Sequence, residues 1–325
     1  MKTEIDKIKE PFLKDLEEYD SVFHDIMASN VKLIDTIVKY VVRHKGKRLR
    51  PLLVIMSAKL IAKPKYETYL VAAIIELLHT ASLIHDDVVD DADIRRGFPS
   101  INAVWKNKVA VLMGDYMLSK CLIGATETGK IEVMKILADV SKRLSKGELM
   151  QIEKSRKLNI SEEEYFEIIS NKTAALIGAA SQLGAMSTTN DDNTINDLKN
   201  YGENLGIAFQ IKDDLLDYYG HQKILGKPVG NDMKDKKITL PLIHAFEQAN
   251  KDEIKKVKKY LKRGVTQKEI KYIIDFAEKY NGIEYAKNRY LYFANKAKES
   301  IKHFPESTVR EAMFHFVDYV IQRKK

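Results

Sequence analysis

The chain has 325 residues, a formal charge of +8 and a single cysteine, Cys121. One cysteine excludes an intramolecular disulfide and a thiolate-rich zinc site. The Lys and Arg surplus is dispersed and not interleaved with aromatics, which points to a lysine-rich solvated surface and against a nucleic-acid partner. The same charge would draw anionic substrates or let the protein rest against anionic lipid as a peripheral contact. The opening segment MKTEIDKIKEPFLKDLEEYD has no apolar stretch of the secretory kind, and runs such as VAAI are shorter than a membrane span, so a cytoplasmic protein is expected.

Apolar residues recur at three- and four-residue spacing along most of the chain, and strand-like alternation is scarce. The spacing predicts helices over about 14–43, 51–62, 66–91, 101–128, 131–154 and 161–188, to within a few residues. Further helices are predicted over about 194–219, 239–261, 267–302 and 306–323. No linker, repeat or low-complexity run divides them, so one all-α domain over residues 1–325 is expected. Breaks fall at HKGKRLRP (44–51), KPKYE (63–67), RRGFPS (95–100) and HQKILGKPVGNDMKDKK (221–237). The last is long, polar and lysine-rich, and suits a mobile flap better than a simple turn. Cys121 lies in an apolar helical stretch and reads as buried packing.

Two aspartate clusters stand out: Asp86, Asp87 and Asp90 in LIHDDVVDDADIRRG, and Asp213, Asp214 and Asp217 in GIAFQIKDDLLDY. Residues four apart share a helix face, so Asp86 with Asp90, and Asp213 with Asp217, place carboxylates side by side. Both clusters fall near the predicted C-terminal ends of their helices, where the macrodipole is already negative. A sequence shaped only for stability would put Lys or Arg there, so the misfit argues for a bound cation. Oxygen-only ligands favour Mg²⁺, which keeps several waters and bridges to substrate phosphates.

Polar stripes accompany both clusters. On the first predicted helix His79, Ser82 (or Leu83), Asp86 and Asp90 share one face; on the second, Gly206, Gln210, Asp213 (or Asp214) and Asp217 form a similar stripe. Basic loops follow at Gly46-Lys47-Arg48-Leu49-Arg50-Pro51, Arg95-Arg96-Gly97, Gly226-Lys227 and Lys234 to Lys237. Arginine offers a planar fork to phosphate oxygens and lysine a flexible point charge. Singly, each loop reads as a solvated surface cluster. Together with paired metal sites they suggest two diphosphate pockets, one held through metal and one held by basic side chains alone.

These segments resemble those of the trans-isoprenyl diphosphate synthases, or polyprenyl synthetases. The matching stretches are GKRLRP, His79 to Gly97, GDYML (114–118), GELMQ (147–151), NKTAAL (171–176), Gly206 to Asp217, GKPVGND and KKITLP. One departure is Lys45, where many relatives carry a second glycine. The resemblance implies antiparallel helices around a deep central cavity, usually in a homodimer. It also implies condensation of isopentenyl diphosphate with an allylic diphosphate. By similarity Asp86, Asp87, Asp90, Asp213, Asp214 and Asp217 hold Mg²⁺, three ions when substrate is bound. Arg95, Lys172, Gln210, Lys227 and Lys237 would contact the allylic diphosphate or the leaving pyrophosphate, and Thr173 would line the reacting centre. Lys47, Arg50, His79 and Arg96 would bind isopentenyl diphosphate.

In this family the product tail runs from the first cluster toward the start of its helix. Ser82 and Ala81, one turn before Asp86, are small and leave that level open. Gly124 and Ala125 are small again, whereas Met134 and Leu137 are bulky enough to form a floor. In the family that the chain resembles, aromatic residues near that level go with short products and small ones with longer chains, so the resemblance implies a long product, roughly C30–C45 and centred on octaprenyl. The alternatives are small residues that serve only helix packing, and a short-chain farnesyl or geranylgeranyl product.

Rival functions fit less well. A His-Asp phosphohydrolase reading of HTASLIHDD leaves the second cluster unexplained, and an EF-hand reading of DDVVDDAD lacks the required Gly and Glu. A terpene cyclase gives no reason for GKRLRP. A non-catalytic partner subunit would be expected to have lost aspartates.

Overall fold

The computed structural model describes residues 3–43, 46–95, 97–219 and 230–323. It is all-α, with 82% of the chain helical, and the only strands among the described residues are the two-residue β1 (Ile94–Arg95) and β2 (Phe98–Pro99), paired antiparallel. By backbone contacts the chain divides into two compact units. The first comprises Met1–Ser141, Leu176–Gly202 and Phe304–Met313, and the second comprises Lys142–Ala175, Glu203–His303 and Phe314–Lys325.

The first unit begins with α1 (Glu4–Lys9), α2 (Leu13–Met27), α3 (Lys32–Arg43) and α4 (Leu49–Ile61). α5 (Tyr66–Val89) and α6 (Ile101–Glu127) follow. α5 is its central helix: Leu70 to Ile75, Leu77 and Leu78 are all buried, as is the stretch Leu52 to Ala58 of α4. An unbroken apolar run without polar alternation is what a helix covered on several sides requires. By length and composition α5 and α6 could each cross a membrane; the apolar stretch is 67% buried in the protein interior in α5 and 39% buried in α6. Cys121 is buried on α6, as expected.

α7 (Ile131–Lys157), α10 (Asp192–Tyr219) and α16 (Thr308–Gln322) each contribute residues to both units. In the second unit α8 (Glu162–Ile169) runs into a π-helical turn, Ser170–Ala174; of α9 (Ala175–Met186), which follows, only Ala175 belongs to this unit. α11 (Asn231–Lys234), α12 (Leu240–Gln248), α13 (Lys251–Arg263), α14 (Gln267–Lys279) and α15 (Gly282–Ile301) complete it. Its core gathers Tyr165, Ile169, Ile211, Leu215, Met233, Leu240, Ile270 and Ile273.

Four predicted helices are broken in the structure, and one of them, 101–128, is interrupted at Lys106, whose backbone lies at φ 72° and ψ 159°. The stretch 14–43 stops at Ala28, whose backbone turns to ψ 136°. The stretch 239–261 divides at Asn250, whose side chain caps α13 by accepting from the Glu253 amide at 3.0 Å. The stretch 267–302 divides at Asn281, which adopts φ 58°, a left-handed conformation that Asn tolerates better than most residues. Elsewhere local signals hold: Ser161 with Glu164, and Thr266 with Glu269, form reciprocal capping boxes at the starts of α8 and α14.

Candidate active site

In the first unit the aspartate cluster ends α5, as the spacing predicts. Asp90 is the residue that terminates the helix, its amide bonded to the Asp86 carbonyl at 2.8 Å. Asp87 is buried and accepts from Arg95 Nε at 2.7 Å, with a second bond from Arg95 Nη2 to the same oxygen. The loop that presents Arg95 is strapped to the start of α6. Asn102 Nδ2 donates to the Asp87 and Ala92 carbonyls at 3.3 and 3.2 Å, and Ser100 Oγ donates to Ala92 O at 2.6 Å. An open-mouthed cleft brings together His79, Asp87, Arg95, Arg48, Glu76 and Tyr19.

That cleft contains part of the expected basic set. His79 faces it, two turns before Asp86 on α5, and Arg95 closes another side. Arg48, rather than Lys47 or Arg50, lines it from the GKRLRP loop. Arg48 has φ 52° at the start of α4 and donates to Asp20 Oδ2 at 2.5 Å. Lys47 is exposed and Arg50 half-buried in the first turn of α4. Arg96 lies outside the described residues. Of the chain-length positions, Ala81 and Leu137 are buried, while Ser82 is half-buried with its hydroxyl donated to the His79 carbonyl at 2.9 Å. Gly124 packs directly on α5: a Cβ there would stand 3.1 Å from Ile74 Cγ1. Its smallness is therefore used in helix packing.

In the second unit a line of hydrogen bonds links the expected residues. Thr173 Oγ1 donates to Gln210 Oε1 at 2.7 Å, and Gln210 Nε2 donates to Asp214 Oδ1 at 2.8 Å. Tyr165 OH donates to the other Asp214 oxygen at 2.6 Å. Lys172, beside Thr173 in the π turn, pairs with Glu148 Oε2 at 2.5 Å. A π turn carries one residue more than the α-helical register and is common at functional sites. Gly206 lets α10 lie against this turn, since a Cβ there would stand 2.5 Å from Ala174 Cα.

The second cluster again lies in the last turns of its helix. Asp213 is paired with Arg323 Nη2 at 3.0 Å. Asp217 accepts three backbone amides, from Gly230, Asn231 and Asp232, at 3.0–3.1 Å, and so ties α11 to α10. Lys237 bonds Asp235 Oδ2 at 3.2 Å. Lys227, and the part of the predicted flap at 221–229, lie outside the described residues.

Burial, followed by the charge of Asp232, pushes the Asp214 carboxyl well above the usual carboxylate range. Asp232 is itself raised to about 7, by burial first and then by Asp217. Burial, reinforced by Asp214, also keeps the Tyr165 phenol protonated as a donor. Among the described residues no three His, Cys, Asp or Glu side chains stand together as a ready-made metal cage. The donors nonetheless fit a hard cation. They are carboxylate oxygens, and the mutual repulsion at Asp214 and Asp232 is the charge that a divalent ion would neutralise.

Tyr165, Glu148, Asp232 and Arg323 were not singled out by sequence reasoning. Glu148 and Asp232 stand inside GELMQ and GKPVGND, so their motifs carried a signal. Tyr165 and Arg323 carried none, because each meets its aspartate only across the fold.

An all-α chain with an Asp-Asp-x-x-Asp cluster at the end of each of two long helices, and with a Lys-Thr pair on a π turn, has the layout of a helical prenyl-transfer enzyme. A family model described as polyprenyl synthetase matches residues 31–277. The chain is 36% identical over 283 residues to the short chain isoprenyl diphosphate synthase of Methanothermobacter thermautotrophicus, spanning 86% of this chain and 87% of that protein. It is 30% identical over 321 residues to the octaprenyl diphosphate synthase of Escherichia coli, spanning 99% of each. The crystal structure of a decaprenyl diphosphate synthase from Rhodobacter capsulatus superposes with a TM-score of 0.94 at 32% identity, covering 99% of both chains. The chain belongs to the polyprenyl synthetase family: it is a trans-prenyl diphosphate synthase, a prenyltransferase of isoprenoid biosynthesis.

Proposed function

We propose that this synthase condenses isopentenyl diphosphate with an allylic diphosphate, in the presence of Mg²⁺, to give a long all-trans polyprenyl diphosphate. The observation that carries the reading is the line Thr173–Gln210–Asp214, with Lys172 beside it on the π turn. Asp86, Asp87 and Asp90 would hold magnesium at the end of α5, and Asp213 and Asp214, with Asp217, at the end of α10. Bound there, the metal supplies positive charge to diphosphate oxygens as the allylic C–O bond breaks.

The chain's own residues then do four things. Lys172, Arg95, Lys227 and Lys237 donate to the departing pyrophosphate, stabilising charge that develops only as the bond breaks. The Gln210 amide oxygen and the carbonyls around Lys172 and Thr173 present dipoles to the allylic cation. Tyr165 and Thr173, as donors, keep the Gln210 oxygen and the Asp214 carboxylate in a fixed orientation. Isopentenyl diphosphate is held by His79, Lys47, Arg50 and Arg96, its double bond attacks the cation, and the proton lost afterwards goes to pyrophosphate. Water must be excluded throughout, because it would quench the cation.

The proposed product is roughly C30–C45, with octaprenyl at the centre, because Ser82 leaves the level one turn above Asp86 open. A short-chain product is the second reading, favoured by the Methanothermobacter relative and by the packing of Gly124 against Ile74. A homodimer is supported by the exposed apolar face of α6, where Leu112 is 59% and Ile123 52% exposed.

Asp86→Ala and Asp213→Ala test the reading. With magnesium as the sole metal, turnover should fall on the order of a hundredfold or more while the fold is retained. Near-wild-type turnover in either variant would remove that cluster from the site. Arg50→Ala should raise the KM for isopentenyl diphosphate about ten- to a hundredfold, the cost of one charge-assisted contact. A raised KM for the allylic primer alone would contradict the assignment.

A further inference from the structure

Arg143 on α7 spends its whole guanidinium on the π turn and its neighbour. Nε donates to Asn171 Oδ1 at 3.1 Å, and Nη2 donates to Ser170 Oγ at 2.9 Å and to the Ser170 carbonyl at 3.3 Å. Nη1 reaches Glu203 Oε1 on α10 at 2.9 Å, two helical turns before Gln210. Asn171 is buried, and Arg143 retains only 21% exposure. One side chain thus fixes both opening residues of the π turn and ties them to the helix that carries Gln210.

The same stretch of α7 meets the turn twice more. Gly147, four residues on and so on the same face, allows contact so close that a Cβ would stand 2.7 Å from Lys172 Cγ and 3.1 Å from Lys172 N. Glu148 holds the Lys172 ammonium. A π turn is an α-helix with one residue too many, and it persists only where its surroundings over-determine it. If it relaxed to α register, the residues before it would rotate by about 100° against those after it. Lys172 and Thr173 would then lose their alignment with Glu148 and Gln210.

We infer that Arg143 is a positioning residue, the clamp that holds the π turn in register and thereby aims Lys172 and Thr173. The inference rests on the function proposed above. A planar fork with fixed donor directions suits this task, and a lysine at the position would keep the charge but give up the fork.

Arg143→Met, Arg143→Lys, Asn171→Ala and the Arg143→Met/Asn171→Ala double variant test it, by kinetics and by hydrogen exchange at amides 170–176. Expected are a kcat lowered about ten- to a hundredfold in Arg143→Met, a KM for isopentenyl diphosphate unchanged within about twofold, and partial recovery in Arg143→Lys. The double variant should fall little below Arg143→Met, because the two residues act as one contact. Exchange at 170–176 should quicken in the substrate-free variant. An unchanged kcat with quickened exchange would reduce Arg143 to a structural role, and additive losses with unchanged exchange would also overturn the clamp. Should Arg143→Met fail to fold, Arg143→Lys carries the same comparisons. A wild type that makes no prenyl diphosphate would sink the proposed function instead, and the exchange comparison would still decide whether Arg143 sets the turn.

Discussion

Arg323 donates to Asp213 Oδ1 at 3.0 Å while its guanidinium lies 3.8 Å from the centre of the Phe209 ring. A third contact runs to the Phe209 carbonyl at 3.2 Å, and Nε is buried without a hydrogen-bond partner. Burial lowers the pKa of Arg323, and the charge of Asp213 opposes that shift. The protein thus places its own cation on an aspartate proposed to hold magnesium. Arg323→Met should vacate Asp213 and tighten Mn²⁺ binding to the substrate-free protein several-fold, read by calorimetry. Unchanged or weaker binding would show that Arg323 does not compete with the metal.

Asp232 gives a pH dependence with a definite sign. Its folded value of about 7 lies above that of an unfolded aspartate, so the folded state binds the proton more tightly. Stability without metal should therefore fall as pH climbs from about 4 to about 7. Asp214 acts in the same direction. Asp232→Asn should flatten part of that fall in thermal melts run without divalent ions. Equal slopes in the two proteins would mean that the proton is carried elsewhere.

Gly206→Ala inverts an ordinary rule. Alanine usually stabilises a helix interior relative to glycine, by about 0.5–1 kcal/mol. Here the added Cβ would meet the backbone of Ala174 at 2.5 Å, inside the π turn. Overpacking of that kind costs about 1–3 kcal/mol. Denaturant unfolding should show a net loss, and turnover should fall with it because Gln210, one turn on, is pushed from Thr173. A stabilised and fully active variant would refute the close approach.

Product length is best probed at Ser82. Ala81 is 3% exposed, so a tyrosine there would strain the packing of α5 before it shortened a product. Ser82 is half-buried and its hydroxyl bonds only locally, within α5. Ser82→Phe should shorten the product sharply by mass spectrometry, and Leu137→Ala, which opens a buried site, should lengthen it. A wild type that stops at farnesyl or geranylgeranyl diphosphate would favour the short-chain reading.

The local rules of the chain already place both aspartate clusters at helix ends, because three- and four-residue spacing and capping pairs such as Ser161 with Glu164 act over a single turn. The same rules run past Ala28, Asn250 and Asn281, since apolar periodicity continues on both sides of each break and the stop is made by one residue's backbone angles. Asp214 with Gln210 could be read from sequence, four apart on one helix. Tyr165 reaches Asp214 across 49 residues, and Arg323 reaches Asp213 across 110. The π turn under Lys172 has no spacing signature either: NKTAAL reads as ordinary helix, and only the fit of Arg143, Gly147 and Gly206 around it holds the extra residue in place. Sequence alone determined which groups can carry the charge and on which helices they ride, because those are properties of a few neighbouring residues. Tertiary packing alone decided which of those groups are buried, paired and aimed, because desolvation and partner geometry arise only when distant segments close on one another.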